Sequence, residues 1–253
     1  MNNAESGTTY EIIDLCLLAG KIMLQNGAET YRVEDTMTRM AAALGFPGAH
    51  SYVTPTVIMF TTSRTEQPKL FRIEERTTDL QKVAEVNDIS RCLSQRQITS
   101  AQARERLALV DDAAHAYPAW LQIMAAALAG GCFTIIFKGS FWDALPALFV
   151  SGLGYASAVY FQRLVQVKFF AELTASALIG LLSFLFVQAG IGAETDKIII
   201  GSVMPLVPGL LITNAVRDLM AGHLISGLSK GAEAFLTAFA IGTGIGLVLS
   251  FVS

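Results

Sequence analysis

Five stretches without a single charged residue, 113–137, 144–162, 173–193, 198–216 and 234–253, dominate the second half of this chain. A helix needs about 20 consecutive apolar residues to cross the hydrocarbon core of a bilayer, and each run meets or approaches that length. Any one of them could be a core helix of a large soluble domain. Five in succession, separated by short charged connectors, point instead to membrane spans. Charge is partitioned to match: residues 1–112 carry 27 of the 39 Asp, Glu, Lys and Arg residues, and 113–253 carry the other 12. The averages of 53% hydrophobic and 15% charged residues therefore blend two unlike halves.

Orientation follows from the flanking charges. Met1 to Thr9 is polar and lacks Lys and Arg, and the apolar stretch Ile12 to Leu24 is interrupted by Asp14 and Lys21, so no secretory leader is expected and the N-terminal part stays in the cytoplasm. With five crossings, Arg163, Lys168, Arg217 and Lys230 face the cytoplasm and only Lys138 and Lys197 lie outside, with Arg91, Arg96, Arg104 and Arg106 just ahead of the first span. That bias obeys the positive-inside rule and places the C-terminus outside. The expected fold class is an α+β cytoplasmic N-terminal domain, residues 1–117, followed by an α-helical membrane domain, 118–253, with five transmembrane helices.

Several chemistries find no support. Cys16, Cys92 and Cys132 are scattered, and His50, His115 and His223 are isolated, so no metal site and no cofactor is expected. A net charge of −3 without a clustered basic face argues against nucleic acid as a partner. No GxxxxGK[ST] loop occurs, which argues against direct ATP hydrolysis.

In the N-terminal part, Ile12, Leu15, Leu18 or Ala19, and Ile22 recur at helical spacing over residues 8–25, with Thr8 or Thr9 as cap and Asn26-Gly27 as stop. A second amphipathic helix runs from about Thr30 to Leu44, ahead of Gly45. Ser51 to Thr62 and Lys69 to Arg76 read as strands around a turn at Arg64 to Pro68. Two more helices are expected, Asp79 to Gln95 and Ser100 to Ala116.

Two segments carry candidate chemistry. NGAETYRVED, Asn26 to Asp35, sets Glu29, Glu34 and Asp35 beside a helix start, where acidic groups favour the positive end of the helix. The same carboxylates could instead form an acid/base or cation-binding pair. The fourth run has Pro205, Pro208 and Gly209 near its middle. Proline removes a backbone donor and clashes with the preceding turn, so the helix is either kinked or broken, and a broken span can offer backbone groups to a substrate in mid-membrane. Thr213, Asn214, Arg217 and Asp218 follow, Asn214 and Asp218 on one helix face. Such groups should avoid lipid. Glu172 and Glu233, at the starts of the third and fifth runs, are either interfacial helix starts or sites of proton or cation coupling. Gly242 and Gly246 form a GxxxG pair suited to close helix packing, within the chain or between chains.

The NGAET-x-RVED segment, the PLVPG-x-x-x-TNAVRD segment and the following HLISGLSKGAEAF together resemble the threonine/serine exporter family, specifically its head-bearing half, over nearly the whole chain. The resemblance implies a bacterial inner-membrane exporter of small polar carboxylate metabolites, threonine and serine in some members and small dicarboxylates such as succinate in others. Long members carry ten spans; a chain with five implies a separately encoded small membrane protein as partner, supplying the second five-span half, in a homo- or hetero-oligomer. Carried over, the family motifs point to Glu29, Glu34 and Asp35 and to Pro205, Pro208, Gly209, Asn214 and Asp218. The leading expectation is a secondary exporter subunit that holds its substrate near Pro205 to Asn214, with efflux driven by the proton gradient or by the substrate's own gradient. A membrane-anchored hydrolase acting through the N-terminal part is the alternative, although no nucleophile-and-base set is visible. A passive assembly subunit is a third possibility.

Overall fold

A computed structural model describes residues 3–114, 117–165 and 167–252, with side chains from Thr9 onward. His115, Ala116 and the Thr8 side chain lie outside the described residues. Ten α-helices are described: α1 (Asn3–Gln25), α2 (Thr30–Ala43), α3 (Leu80–Ser94), α4 (Ser100–Asp112), α5 (Ala119–Ile136), α6 (Phe141–Val165), α7 (Lys168–Gln188), α8 (Thr195–Val203), α9 (Gly209–Met220) and α10 (Leu224–Val252). Strands β1 (His50–Thr54), β2 (Val57–Thr61) and β3 (Lys69–Arg72) form one antiparallel sheet in the order β1-β2-β3.

The chain forms two compact units, one of residues 1–116 with 212–231 and one of 117–211 with 232–253. This corrects the expected fold class. The described residues are 73% helical with only a small three-stranded sheet, which does not support a distinct α+β cytoplasmic N-terminal domain followed by a five-span domain. The first unit draws in residues 212–231, which belong in sequence to the apolar half. Among the described residues four helices, α5, α6, α7 and α10, are long and apolar enough to cross a membrane, or up to five if the bent pair Thr195–Leu206 and Gly209–Met220 counts as one span.

In the first unit, α1 packs on α2, α3, α4 and the sheet around one continuous core that includes Leu15, Cys16, Ile22, Met37, Val53, Ile58, Phe60 and Leu107. The stretch expected as a single strand, Ser51 to Thr62, is a hairpin: Thr54 pairs with Val57 across a turn at Pro55-Thr56. Proline cannot donate to a ladder, and its presence inside an apparent strand was the signal for that turn. Elsewhere local chemistry sets the ends. Asp79 caps α3 by accepting from Gln81 and Lys82 N–H, Thr99 and Gln102 form a capping box on α4, and Gly45, at φ 95°, closes α2.

In the second unit, α5 packs on α6 and α8, and α6 on α7. Small residues let these helices approach. A side-chain carbon on Gly130 would strike Ser151 of α6, whose hydroxyl donates to Ala126 O at 2.8 Å. Gly244 of α10 lies against Ser176 and the Leu173 carbonyl of α7. Gly242 and Gly246 meet nothing within 4 Å, so it is the glycine between them that packs within this chain. The outward faces are apolar, with Phe141, Trp142, Phe149, Phe235 and Phe239 all exposed. Exposed apolar surface on this scale is what lipid solvates.

Candidate functional site

The first unit holds a buried polar cluster built from the two motifs singled out in the sequence. α1 ends at Gln25, and Gly27, at φ 91°, turns the chain in a conformation that suits a residue without Cβ. The turn brings Gly27–Thr30 against the face of α9 that buries Asn214, Ala215 and Asp218. Asn214 Nδ2 donates to Gly27 O at 2.9 Å. Asp218, fully buried, accepts from the Thr30 backbone N–H at 2.9 Å, the Thr30 hydroxyl at 2.9 Å and Lys230 Nζ at 2.8 Å. Lys230, 4% exposed, also donates to Thr30 Oγ1 at 3.3 Å and Ala28 O at 3.4 Å. Its three N–H groups thus meet three acceptors.

Thr30 opens α2, whose N-cap residue Glu29 makes no side-chain cap bond. The first N–H groups of a helix lack intrahelical partners and carry partial positive charge. The Asp218 carboxylate, 188 residues away in sequence, supplies the cap. A satisfied, internally neutral ion pair of this kind holds Gly27–Thr30, α9 and the start of α10 in register.

Glu29 lies at the edge of the cluster between two guanidinium groups, Arg217 at 2.5 Å and Arg32 at 3.1 Å. Burial acts to raise its carboxyl, but hydrogen bonds from its own backbone N–H and Arg217 and the charge of Arg32 outweigh it and hold the group below the ordinary glutamate range. The Arg217 side chain is 61% exposed and that of Arg32 39%, so both keep donors facing outward. Glu34 accepts from the Val53 N–H at 2.8 Å and lies 3.8 Å from His223 Nδ1. Burial pushes its carboxyl above the ordinary range; Val53 and His223 pull it down and Asp218 adds to the rise, with burial prevailing. Asp35 is exposed and pairs with Arg39 on its own helix, away from the cluster.

In the second unit the proline-bearing run is interrupted. α8 ends at Val203, a single 3-10 turn covers Met204–Leu206 with Pro205 near its start, and Val207 is extended at φ −64°, ψ 129°. The residue before a proline is driven out of the helical region, which accounts for Val207. The bend at this break is 62°. Pro205 and Pro208 are half-buried, and Gly209 is exposed. Glu172 is buried in α7, and Glu233 of α10 pairs with Lys168 at 3.2 Å. Asp143, at the start of α6, is fully buried and accepts from Ser140 N–H and Oγ and from the backbone of Ala193 and Glu194.

The structure thus brings Glu29, Asn214, Arg217 and Asp218 together in one unit, with Glu34 near by. It leaves Asp35 and Thr213 on exposed surface. Pro205, Pro208, Gly209, Glu172 and Glu233 belong to the other unit. Sequence reasoning missed Thr30, Lys230 and Asp143. Lys230 could have been found, since Ser226, Lys230, Ala234, Thr237, Ile241 and Gly244 repeat at helical spacing along one buried face of α10. Asp143 carried no signal beyond a charge at a helix start. Among the described residues, no group of three or more His, Cys, Asp or Glu could hold a metal ion.

The family described as "Putative threonine/serine exporter" matches this chain over residues 14–252. The chain belongs to this family. It is 27% identical over 258 residues to the "Probable succinate transporter subunit YjjP" of Klebsiella aerogenes, covering 98% of this chain and 95% of that protein. It is likewise 27% identical over 246 residues to the protein of the same description from Escherichia coli, covering 93% of each. With the "Probable threonine/serine exporter" of Mycobacterium tuberculosis it shares 22% identity over 249 residues, 96% of this chain but 46% of that protein. No solved structure matches. This member of the threonine/serine exporter family is therefore a multi-pass membrane transporter rather than an enzyme.

Proposed function

We propose that this family member is a subunit of a bacterial inner-membrane secondary exporter of small polar carboxylate metabolites, of the threonine, serine or succinate class, working with a separately encoded membrane partner. The observation that carries the reading is the pair of guanidinium groups, exposed Arg217 and half-buried Arg32, oriented by the buried Glu29. Planar forks held in this way bind carboxylates in bidentate fashion. The substrate carboxylate engages the outward donors of Arg217 while Asn214 and Asp218 keep that helix face in place. The interrupted run at Pro205, Pro208 and Gly209, with Thr213 on the helix that follows, supplies irregular backbone of the kind that transporters place along a substrate path.

The partner is supported by two facts about relatives: two are described as a subunit, and this chain spans less than half of a third. The basic-residue bias around the spans supports a cytoplasmic N-terminus and an external C-terminus.

The test is transport of labelled succinate and threonine in inverted membrane vesicles from cells that express the chain and its native membrane complement. Arg217→Gln removes a charge-assisted bond worth about 1.5–3 kcal/mol, so KM should rise roughly 10- to 100-fold with kcat less affected. An unchanged KM removes Arg217 from the binding site, and equal transport without the chain removes the proposed function.

A further inference from the structure

The second unit contains a buried carboxyl that none of the machinery described above uses. Glu172 sits in the first turns of α7 with 8% of its surface exposed, and its Oε2 has no hydrogen-bond partner. Thr237 of α10 is fully buried and faces it, close enough for its hydroxyl to act on the Glu172 carboxylate but outside hydrogen-bond geometry, so that its oxygen has no partner either. Two unpartnered oxygens on facing helices are an unusual expense inside a membrane protein, since a polar group removed from water without a hydrogen bond is destabilising.

The charged groups that act on Glu172, among the described residues, are Lys168 from its own helix and Glu233 from α10; α6 and α8, which also pack on α7, bring none. Lys168 and Glu233 bind each other at 3.2 Å and are partly exposed, at 43% and 23% of their side-chain surface. Lys168 thus acts on Glu172 from a distance, while its direct ion pair is with Glu233. Four residues, a rise of about 6 Å, separate Lys168 from Glu172, and the same spacing separates Glu233 from Thr237. A partly exposed ion pair between the start of α7 and Glu233 of α10 thus gives way, about one turn further along both helices, to a buried carboxyl and hydroxyl.

We propose that Glu172 is the proton-carrying carboxyl of this exporter, with Thr237 as its hydrogen-bond partner in the protonated state. Protonation forms an O–H bond at Oε2, the proton coming from water at the Lys168–Glu233 end. The new O–H donates to Thr237 Oγ1, which gives both orphaned oxygens a partner in one step. Release breaks that bond and returns the proton to water. A metal cation is a poorer occupant, because one carboxyl and one hydroxyl supply at most three oxygens where hard divalent ions take about six or more. A protonation site in the membrane unit couples export to the proton gradient, an assignment that rests on the exporter reading and specifies how it is driven.

The experiment uses inverted vesicles bearing the full chain in its native membrane complement, with succinate and threonine as probes. Each variant is assayed for accumulation under an imposed pH gradient and for exchange of labelled against unlabelled probe without one. Glu172→Gln should keep exchange and lose gradient-driven accumulation. Accumulation equal to the parent, or a parent whose accumulation follows a sodium gradient instead, overturns the proposal. A parent that neither exchanges nor accumulates either probe refutes the exporter reading instead, and a second measurement then decides on Glu172. Infrared difference spectra of the purified chain between acid and alkaline pH should contain a protonated-carboxyl C=O band that Glu172→Gln abolishes and Thr237→Val shifts. The same band undiminished in Glu172→Gln overturns the proposal whatever the transport result.

Discussion

Truncating Lys230 to alanine tests the buried cluster directly. The change removes three hydrogen bonds, to Asp218, Thr30 Oγ1 and Ala28 O, and leaves a fully buried carboxylate without its cation. Breaking a buried ion pair by deleting one partner costs about 3–5 kcal/mol. Asp218 keeps two hydrogen bonds from Thr30 and the favourable end of α2, so the lower figure, about 3 kcal/mol, is expected here. Urea slopes of about 1–3 kcal/mol per molar convert this into a midpoint lowered by roughly 1–3 M. Cys16 provides the probe. It is fully buried in the core of the same unit, so in a Cys92→Ser, Cys132→Ser background its labelling by a maleimide reports the opening of that unit. The double variant Asp218→Asn, Lys230→Met removes both charges and should recover much of the loss, because pairs in contact couple by about 0.5–3 kcal/mol. A midpoint within a few tenths of a molar of the parent for Lys230→Ala would refute the reasoning. So would a double variant no better than the single, since either result means that the pair is not desolvated.

Three other outcomes follow from the geometry. Cys16 should resist maleimide in the folded parent at neutral pH, because burial pushes its thiol up to about 12 and only the thiolate reacts, whereas exposed Cys132 should be accessible to a membrane-permeant reagent. Glu34 binds its proton more tightly in the folded chain than in the unfolded one. Its contribution is therefore fully present below the unfolded value of about 4.3 and is lost as pH rises through the higher folded value; Glu34→Gln should flatten that part of the stability profile, as followed by the Cys16 midpoint against pH. Gly130→Leu should drive α5 away from Ser151 at a cost of about 1–3 kcal/mol, seen as a lower melting temperature in detergent, while Gly242→Ala, with nothing within 4 Å, should leave it unchanged.

How much of this was legible beforehand depended on the range of the interaction. Helix ends written in neighbouring residues were read closely: Asn26-Gly27 stops α1, and the expected helix from Thr30 ends one residue beyond the observed Ala43. Pro205 and Pro208 announced the interruption that Val207 makes. The hairpin at Pro55-Thr56 was legible and overlooked. What Glu29 and Asp218 touch was not legible at all. Helical spacing shows that Asn214 and Asp218 share a face, but no local rule says that this face meets a turn almost 190 residues earlier.

The chain's apolar runs by themselves determined that it lives in a bilayer, because lipid imposes a length and a polarity that can be counted residue by residue. Membership of the exporter family was equally local, carried by short segments whose order is visible without coordinates. Only the tertiary structure decided that the second motif folds into the first unit, that Asp218 caps α2 and pairs with Lys230, and that Glu172 is left facing Thr237. These are contacts between residues far apart in the chain, and whether a carboxylate ends up satisfied or orphaned depends on which partner the fold delivers to it.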